Sequence, residues 1–141
     1  MNLLMKMFVA GNVALFRSTN GKMGSSMGGH ELLLLTTKGA KSGKSRTVPV
    51  MFFEDDGHRF VVASFGGSPQ HPAWFKNLER DPNVEVAVKG KTYKARAEVM
   101  NATDRARNWQ KVIAQQPRFA GYEQKVQGQR EIPLVYLKEP G

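Results

Sequence analysis

Residues 31–54 read Glu31-Leu-Leu-Leu-Leu-Thr-Thr37-Lys38-Gly39-Ala40-Lys41-Ser42-Gly43-Lys44-Ser45-Arg46-Thr47-Val48-Pro49-Val50-Met51-Phe52-Phe53-Glu54. Glu31–Thr37 is a short apolar run with β-prone ends. Lys44–Glu54 carries Val48, Val50, Phe52 and Phe53 and reads as a second strand. Between them, Lys38–Arg46 holds four cations, two glycines and no acid. The segment Gly39–Ser45 has the look of a phosphate loop, but it is one residue short. It also runs into a strand, whereas such a loop needs a helix N-terminus, so NTPase chemistry is excluded. Pro49 predicts an edge or a bulge, because its missing N–H is not needed there.

Working outward, Asp55-Asp56-Gly57 reads as a hairpin turn with both carboxylates facing solvent. Arg59–Phe65 is a third strand. Pro72 opens a helix where its missing N–H costs nothing, and that helix stops near Asp81-Pro82. Val84, Val86 and Val88 alternate with Glu85, Ala87 and Lys89, which is strand periodicity. After Gly90-Lys91, residues Tyr93, Ala95, Ala97 and Val99 face one way. Thr103–Gln116 is a helix with Ala106, Trp109, Val112 and Ile113 on one face, Thr103 as N-cap and Asp104 in its first turn. Pro117 starts a shorter helix through Val126, and Ile132–Lys138 is the last strand. Asn2–Phe16 reads as an amphipathic or packed helix, followed by a soft, Met-bearing segment. The order αβββαββααβ, with hairpin-length links, favours an α+β domain built as an antiparallel sheet or barrel. One domain is expected over 1–141, with 1–29 as N-terminal helix and flexible arm.

The chain has 141 residues and a net charge of +9, with 40% hydrophobic and 23% charged residues. That is a globular composition with an anionic partner in prospect. The absence of cysteine excludes disulfides, thiol catalysis and thiolate metal sites. His30, His58 and His71 have no metal-ligand spacing, so no metal is expected. Asn2–Phe16 is too short to span a bilayer and lacks a cleavage site, which implies a cytoplasmic chain. Leu3, Leu4, Met7, Phe8 and Leu15, with Lys6 and Arg17 nearby, allow a peripheral membrane contact by that helix. The alternative is packing on the domain.

Two constellations could carry function. The glycine turn bearing Lys41, Lys44 and Arg46 suits a phosphate or carboxylate, since backbone N–H groups can approach while cations neutralise charge. Its alternative is a solvated basic hairpin tip. Ser64-Phe65-Gly66-Gly67 follows a strand, where glycines let backbone approach a ligand closely. Its alternative is an ordinary strand-to-helix turn, with Trp74 and Leu78 as core. No Gly-x-Ser-x-Gly and no Ser-His-Asp order is present. An anion cradle with aromatic surface but no acid–base machinery suits an enzyme whose cofactor carries the chemistry. Nucleic acid is disfavoured, because the cations concentrate on one loop and no reading motif accompanies them.

Leu33–Pro49, Val62-Ala63-Ser64-Phe65-Gly66-Gly67, Pro72-Ala73-Trp74-Phe75-Lys76-Asn77-Leu78, Asp81-Pro82 and the terminal Ile132-Pro133 together resemble the deazaflavin-dependent nitroreductase family. The resemblance implies a split β-barrel of the FMN-binding type with flanking helices. It also implies coenzyme F420, an 8-hydroxy-5-deazaflavin with a phosphate and an oligoglutamate tail. On that pattern Lys41, Ser42, Lys44 and Arg46 lie near phosphate and tail. Pro49, Ala63, Ser64, Gly66, Gly67 and Trp74 line the deazaflavin and its linker. Phe65, Phe119 and Tyr122 fall on the substrate side, with Tyr122 as a candidate proton donor. Phe65 and Ala40 stand where members often carry Lys and Arg, and Phe119 where a Tyr is common. The implied reaction is hydride transfer from the reduced cofactor to a small electron-poor acceptor such as a quinone, an enone or a nitro compound. An FMN-binding oxidoreductase and a non-enzymatic cofactor or lipid carrier on the same fold are the alternatives.

Overall fold

A computed structural model of the chain describes residues 26–27 and 30–139. The helix expected over 2–16 and most of the soft arm lie outside the described residues. The described elements are β1 (Ser26–Met27), β2 (His30–Lys38), β3 (Ser45–Asp55), β4 (His58–Val62), α1 (Ala73–Arg80), β5 (Asn83–Val88), β6 (Lys91–Val99), α2 (Ala102–Gln115), α3 (Arg118–Val126) and β7 (Leu134–Lys138). All pairings are antiparallel. The order β2-β3-β4-β7-β6-β5 closes on itself because β5 also pairs with β2, giving the six-stranded barrel that the sequence implied. Closure removes exposed sheet edges.

The barrel is not uniformly zipped. β2 and β5 meet at Leu34↔Ala87, Leu35↔Val86 and Thr36↔Glu85. β3 pairs with β2 from Leu32↔Met51 to Lys38↔Ser45, but with β4 only from Phe52↔Val61 to Asp55↔His58. Among the described residues, residues 45–51 of β3 therefore have one neighbouring strand, and Pro49 sits in that opened half. A residue without an N–H is tolerated there as at an edge.

The strand period explains two cores. Leu33, Leu35, Phe52, Val61, Val86, Ala95, Val135 and Leu137 fill the barrel, with Phe75 and Leu78 of α1 joining them. The opposite faces of β3, β4 and β7 supply Phe53, Phe60, Val62, Leu134 and Tyr136, which α2 and α3 cover with Trp109, Val112, Phe119 and Val126. Burial on both faces is why these strands read as continuous apolar runs.

Several local expectations need correction. The third strand ends at Val62, not Phe65, and a short 3-10 turn follows at Phe65–Gly67. The α2 N-cap is Asn101, whose Oδ1 accepts from the Asp104 N–H at 2.8 Å, so Thr103 lies inside the helix. Ala106 and Val99 are exposed, so neither belongs to the core face assigned to it.

The largest correction is Asp55. It is 7% exposed, not solvent-facing. Its Oδ2 accepts from Tyr136 Oη (2.7 Å), Arg107 Nη2 (2.8 Å) and Asn108 Nδ2 (3.1 Å), and its Oδ1 accepts from Lys111 Nζ (3.3 Å). One carboxylate thereby ties the β3–β4 hairpin to β7 and to α2. The Tyr136 hydroxyl and the basic donors hold its pKa well below the ordinary range, against the opposing effect of burial. Burial and the Asp55 charge push Tyr136 up to about 12. Because the folded-state pKa is depressed, the network's contribution is complete above about pH 4 and is lost as pH falls below it. Asp55→Asn should therefore cost about 1–3 kcal/mol near neutrality, the scale for hydrogen bonds to a charged group, since the cationic partners Arg107 and Lys111 are themselves partly exposed. Urea melts from pH 7 to pH 2.5 should show this gap closing with acid; a pH-independent gap would contradict the network's role.

Candidate functional site

Two chain segments flank the opened half of β3: the Lys38–Arg46 hairpin at its start and the Ala63–Ser68 turn that leaves β4. Arg46 and Val50 are four residues apart on the strand, roughly 13 Å.

The hairpin tip is built by short backbone bonds. The Gly39 N–H donates to Lys44 O at 2.8 Å and the Gly43 N–H to Gly39 O at 2.9 Å. The Lys44 N–H donates to Ser42 Oγ at 3.2 Å. A Cβ on Gly39 would lie 2.8 Å from Ser42 Oγ and 3.1 Å from Lys44 O, so a side chain there would displace the Ser42 hydroxyl and press on the Lys44 carbonyl. The tip is anchored from outside by Asn77 of α1, which is buried. Its Oδ1 accepts from the Ala40 N–H at 2.9 Å and its Nδ2 donates to Thr37 Oγ1 at 3.0 Å. Among the described residues, the N–H groups of Lys41 and Ser42 have no acceptor.

An open cleft of about 510 Å³ lies against this tip, lined by Lys38, Gly39, Ala40, Lys41, Ser42, Gly43, Arg80 and Asp81. Lys44 and Arg46 are exposed on the same hairpin but do not line the cleft. Among the described residues, none of Lys38, Lys41, Lys44, Arg46 and Arg80 has an acidic partner within salt-bridge distance. The acid at the cleft, Asp81, is engaged by Asn83, whose backbone N–H and Nδ2 each donate to Oδ1 at 3.1 Å. Unpaired cations beside unfilled backbone donors are a fit for a phosphate or carboxylate tail.

At the other segment, β4 ends at Val62, and the Ala63 N–H turns away to Pro133 O at 3.0 Å. Phe65, Gly66 and Gly67 then take φ of 47°, 61° and 80° in succession. A left-handed run is costly for a residue with a Cβ, so Phe65 is a strained exception. Gly67 is required twice over. Besides its φ, a Cβ there would come within 2.9 Å of Lys125 Cδ and 3.3 Å of Tyr122 Cα. The turn thus lies directly under α3.

The residues singled out from sequence separate as follows. Pro49, Ser64 and Trp74 are half-buried around the opened strand and the start of α1. Ala63 has its side chain in the barrel core. Gly66 is exposed, and Phe65 is 56% exposed, the largest apolar side chain on this rim. Tyr122 is half-buried over Gly67. Phe119, expected on the substrate side, is 5% exposed and packs edge-on to Phe53 (6.2 Å) and Tyr122 (5.4 Å). It supports Tyr122 from behind.

Sequence reading gave no role to Asn77, Arg80 or Arg130, counted Lys38 only among the four cations of the basic loop, and left His71 as a cap or packing residue. Asn77 and Arg80 stand three apart on α1, so helical spacing alone could have paired them. Arg130 carried no local signal. Its guanidinium lies under the Ala63–Ser68 turn and beside His71. Burial and the Arg130 charge lower the His71 pKa from its ordinary value, so the ring is neutral near pH 7 and its Nδ1 accepts from Arg130 at 3.0 Å. Among the described residues no group of side chains could hold a metal, and no helix is long and apolar enough to cross a membrane.

The described residues thus form a split antiparallel barrel with a basic tip and a glycine turn along one opened strand. A profile described as F420H(2)-dependent quinone reductase matches residues 9–139, and the chain belongs to that family. An F420H(2)-dependent quinone reductase of Mycobacterium tuberculosis is 36% identical over 128 residues, 88% of this chain and 85% of that protein. A solved F420-H2 dependent reductase superposes with a TM-score of 0.67 at 36% identity, covering 76% of this chain and 93% of that one. Another solved structure, described as a domain-swapped dimer, gives a TM-score of 0.71 at 32% identity, covering 92% and 93%. The protein is an F420-dependent oxidoreductase; neither the carrier nor the FMN alternative is favoured by its relatives.

Proposed function

We propose that the opened half of β3 is the F420 site, with the anionic tail at the basic hairpin and the ring at the Ala63–Gly67 turn, and that the acceptor is a quinone. The observation that carries this reading is the pairing of cations that have no acidic partner among the described residues with a close-approach glycine turn at opposite ends of one strand segment. Such spacing suits a ligand with a charged end and a planar end. Lys41, Ser42, Lys44 and Arg46, joined by Lys38 and Arg80, bind phosphate and carboxylates. Pro49, Ser64, Gly66, Gly67 and Trp74 shape the ring site, with Ala63 as its floor. Reduced F420 supplies a hydride. Phe65, Trp74 and Tyr122 exclude water from the transfer and present an apolar wall to a flat acceptor. Tyr122, half-buried over Gly67, is the candidate donor of the accompanying proton. The relative's name supports quinone as substrate class, and so does the exposed Phe65 rim. The N-terminal residues 2–16 give the enzyme a peripheral membrane contact, since Leu3, Leu4, Met7, Phe8 and Leu15 accompany Lys6.

Three experiments test this reading. Lys41→Ala and Arg46→Ala should each weaken F420 binding about tenfold or more with unchanged melting, since a charge-assisted contact is worth roughly 1.5–3 kcal/mol. In a separate steady-state assay, wild-type protein with reduced F420 should turn over a menaquinone analogue faster than a bicyclic nitroimidazole. Unchanged dissociation constants in both variants, or a reversed substrate preference, would contradict the site or the acceptor respectively. Deleting residues 2–16 should abolish co-sedimentation with phosphatidylglycerol vesicles; equal pelleting of both forms would remove the membrane role.

A further inference from the structure

The link between α3 and β7 carries Arg130, and four acceptors converge on it. Its Nε donates to Ser68 O at 3.0 Å, its Nη1 to Ala63 O at 3.1 Å and to His71 Nδ1 at 3.0 Å, and its Nη2 to Ser64 O at 2.8 Å. Among the described residues no carboxylate pairs with it. A partly buried guanidinium satisfied by backbone carbonyls is a splint, because its donors form a rigid planar fork. What it splints needs holding. Phe65, Gly66 and Gly67 form three successive left-handed residues, and the bonds inside the turn are Gly67 N–H to Ser64 O and Ser68 N–H to Phe65 O, each 3.0 Å. The Ala63, Ser64 and Ser68 carbonyls that Arg130 gathers bracket that stretch on both sides.

We propose that Arg130 is the positioning residue of the ring-side turn, acting while His71 is neutral, and that it sets affinity for the cofactor's ring and not for its tail. This rests on the reading of the Ala63–Gly67 turn as the ring site. His71 contributes as an acceptor only when Nδ1 carries no proton. Protonation removes that acceptor and sets a second cation against the guanidinium. Besides Arg130, the charged groups acting on His71 are Glu79 and Lys76 of α1, of which Glu79 favours protonation and Lys76 opposes it. The ring also lies against Phe75, with centroids 4.8 Å apart. Acid therefore loosens the turn from the His71 side, while the basic hairpin, fixed by Asn77, is unaffected.

The test measures dissociation constants for F420 and for the tail-less 8-hydroxy-5-deazaflavin by fluorescence, in wild type, Arg130→Gln, His71→Gln and Lys41→Ala. Arg130→Gln should weaken both ligands by the same factor, roughly tenfold or more, as misplaced binding groups do. Lys41→Ala should weaken F420 alone. His71→Gln keeps an acceptor that does not titrate, so it should match wild type near pH 7. Wild type should lose ring affinity on acidification past the ordinary histidine range, since burial and the Arg130 charge lower the pH at which His71 gains its proton, and His71→Gln should lose less. The ligand's own titration is common to both proteins and cancels in that comparison. Wild-type binding of the tail-less ring by Arg130→Gln overturns the proposal, as does loss of F420 alone or superposable acid limbs for wild type and His71→Gln. If Arg130→Gln does not fold, the difference between those acid limbs decides. Failure of Lys41→Ala to affect F420 would instead count against the tail site, leaving the ring measurements to judge Arg130.

Discussion

Everything at the site depends on where β3 and β4 stop pairing. The ladder runs from Asp55↔His58 to Phe52↔Val61 and ends there. Past it, among the described residues, β3 continues with β2 alone, and the chain after Val62 bends through Ala63 to bond Pro133 instead. A closed barrel has no unpaired strand flank to offer a ligand. This one opens a flank over residues 45–51, bounded by a basic tip at one end and a left-handed turn at the other. The two cores keep the opening local: α1 seals the barrel interior with Phe75 and Leu78, while α2 and α3 cover the far faces of β3, β4 and β7.

The elements that hold the site come from distant parts of the chain. Asn77 reaches back to Thr37 and Ala40, Arg130 to Ala63, Ser64 and Ser68, and Asp55 is held by Arg107, Asn108, Lys111 and Tyr136. Asn77 and Arg130 satisfy turn backbone, while Asp55 is satisfied by other side chains; both are ways interiors accommodate polar groups. Rigid support of this kind lets an exposed hairpin keep several like charges together before any ligand neutralises them.

Local periodicity made much of this legible. The alternation of Val84, Val86 and Val88, the Asp-Gly turn after β3, the start of α1 after Pro72 and the edge character of Pro49 all rest on forces within a few residues. The basic hairpin was legible for the same reason. Asp55 was not: Asp-Asp-Gly has turn chemistry whichever way its first carboxylate points, and its partners lie 52 to 81 residues later. Arg130 sits in an irregular link with no pattern to mark it. Phe119 was ambiguous in kind, because an aromatic on a short helix serves a pocket wall and a core equally well until the strand beneath it, with Phe53, is placed.

The account's central claim is that the opened half of β3, with its basic tip, selects a cofactor with a multiply anionic tail. Fluorescence titration of the purified protein with F420 and with FMN, at low and at high salt, tests it most directly. The account predicts tighter binding of F420 than of FMN, with an advantage that shrinks as salt screens the exposed hairpin cations. Equal or tighter binding of FMN, or an F420 affinity indifferent to salt, would contradict it.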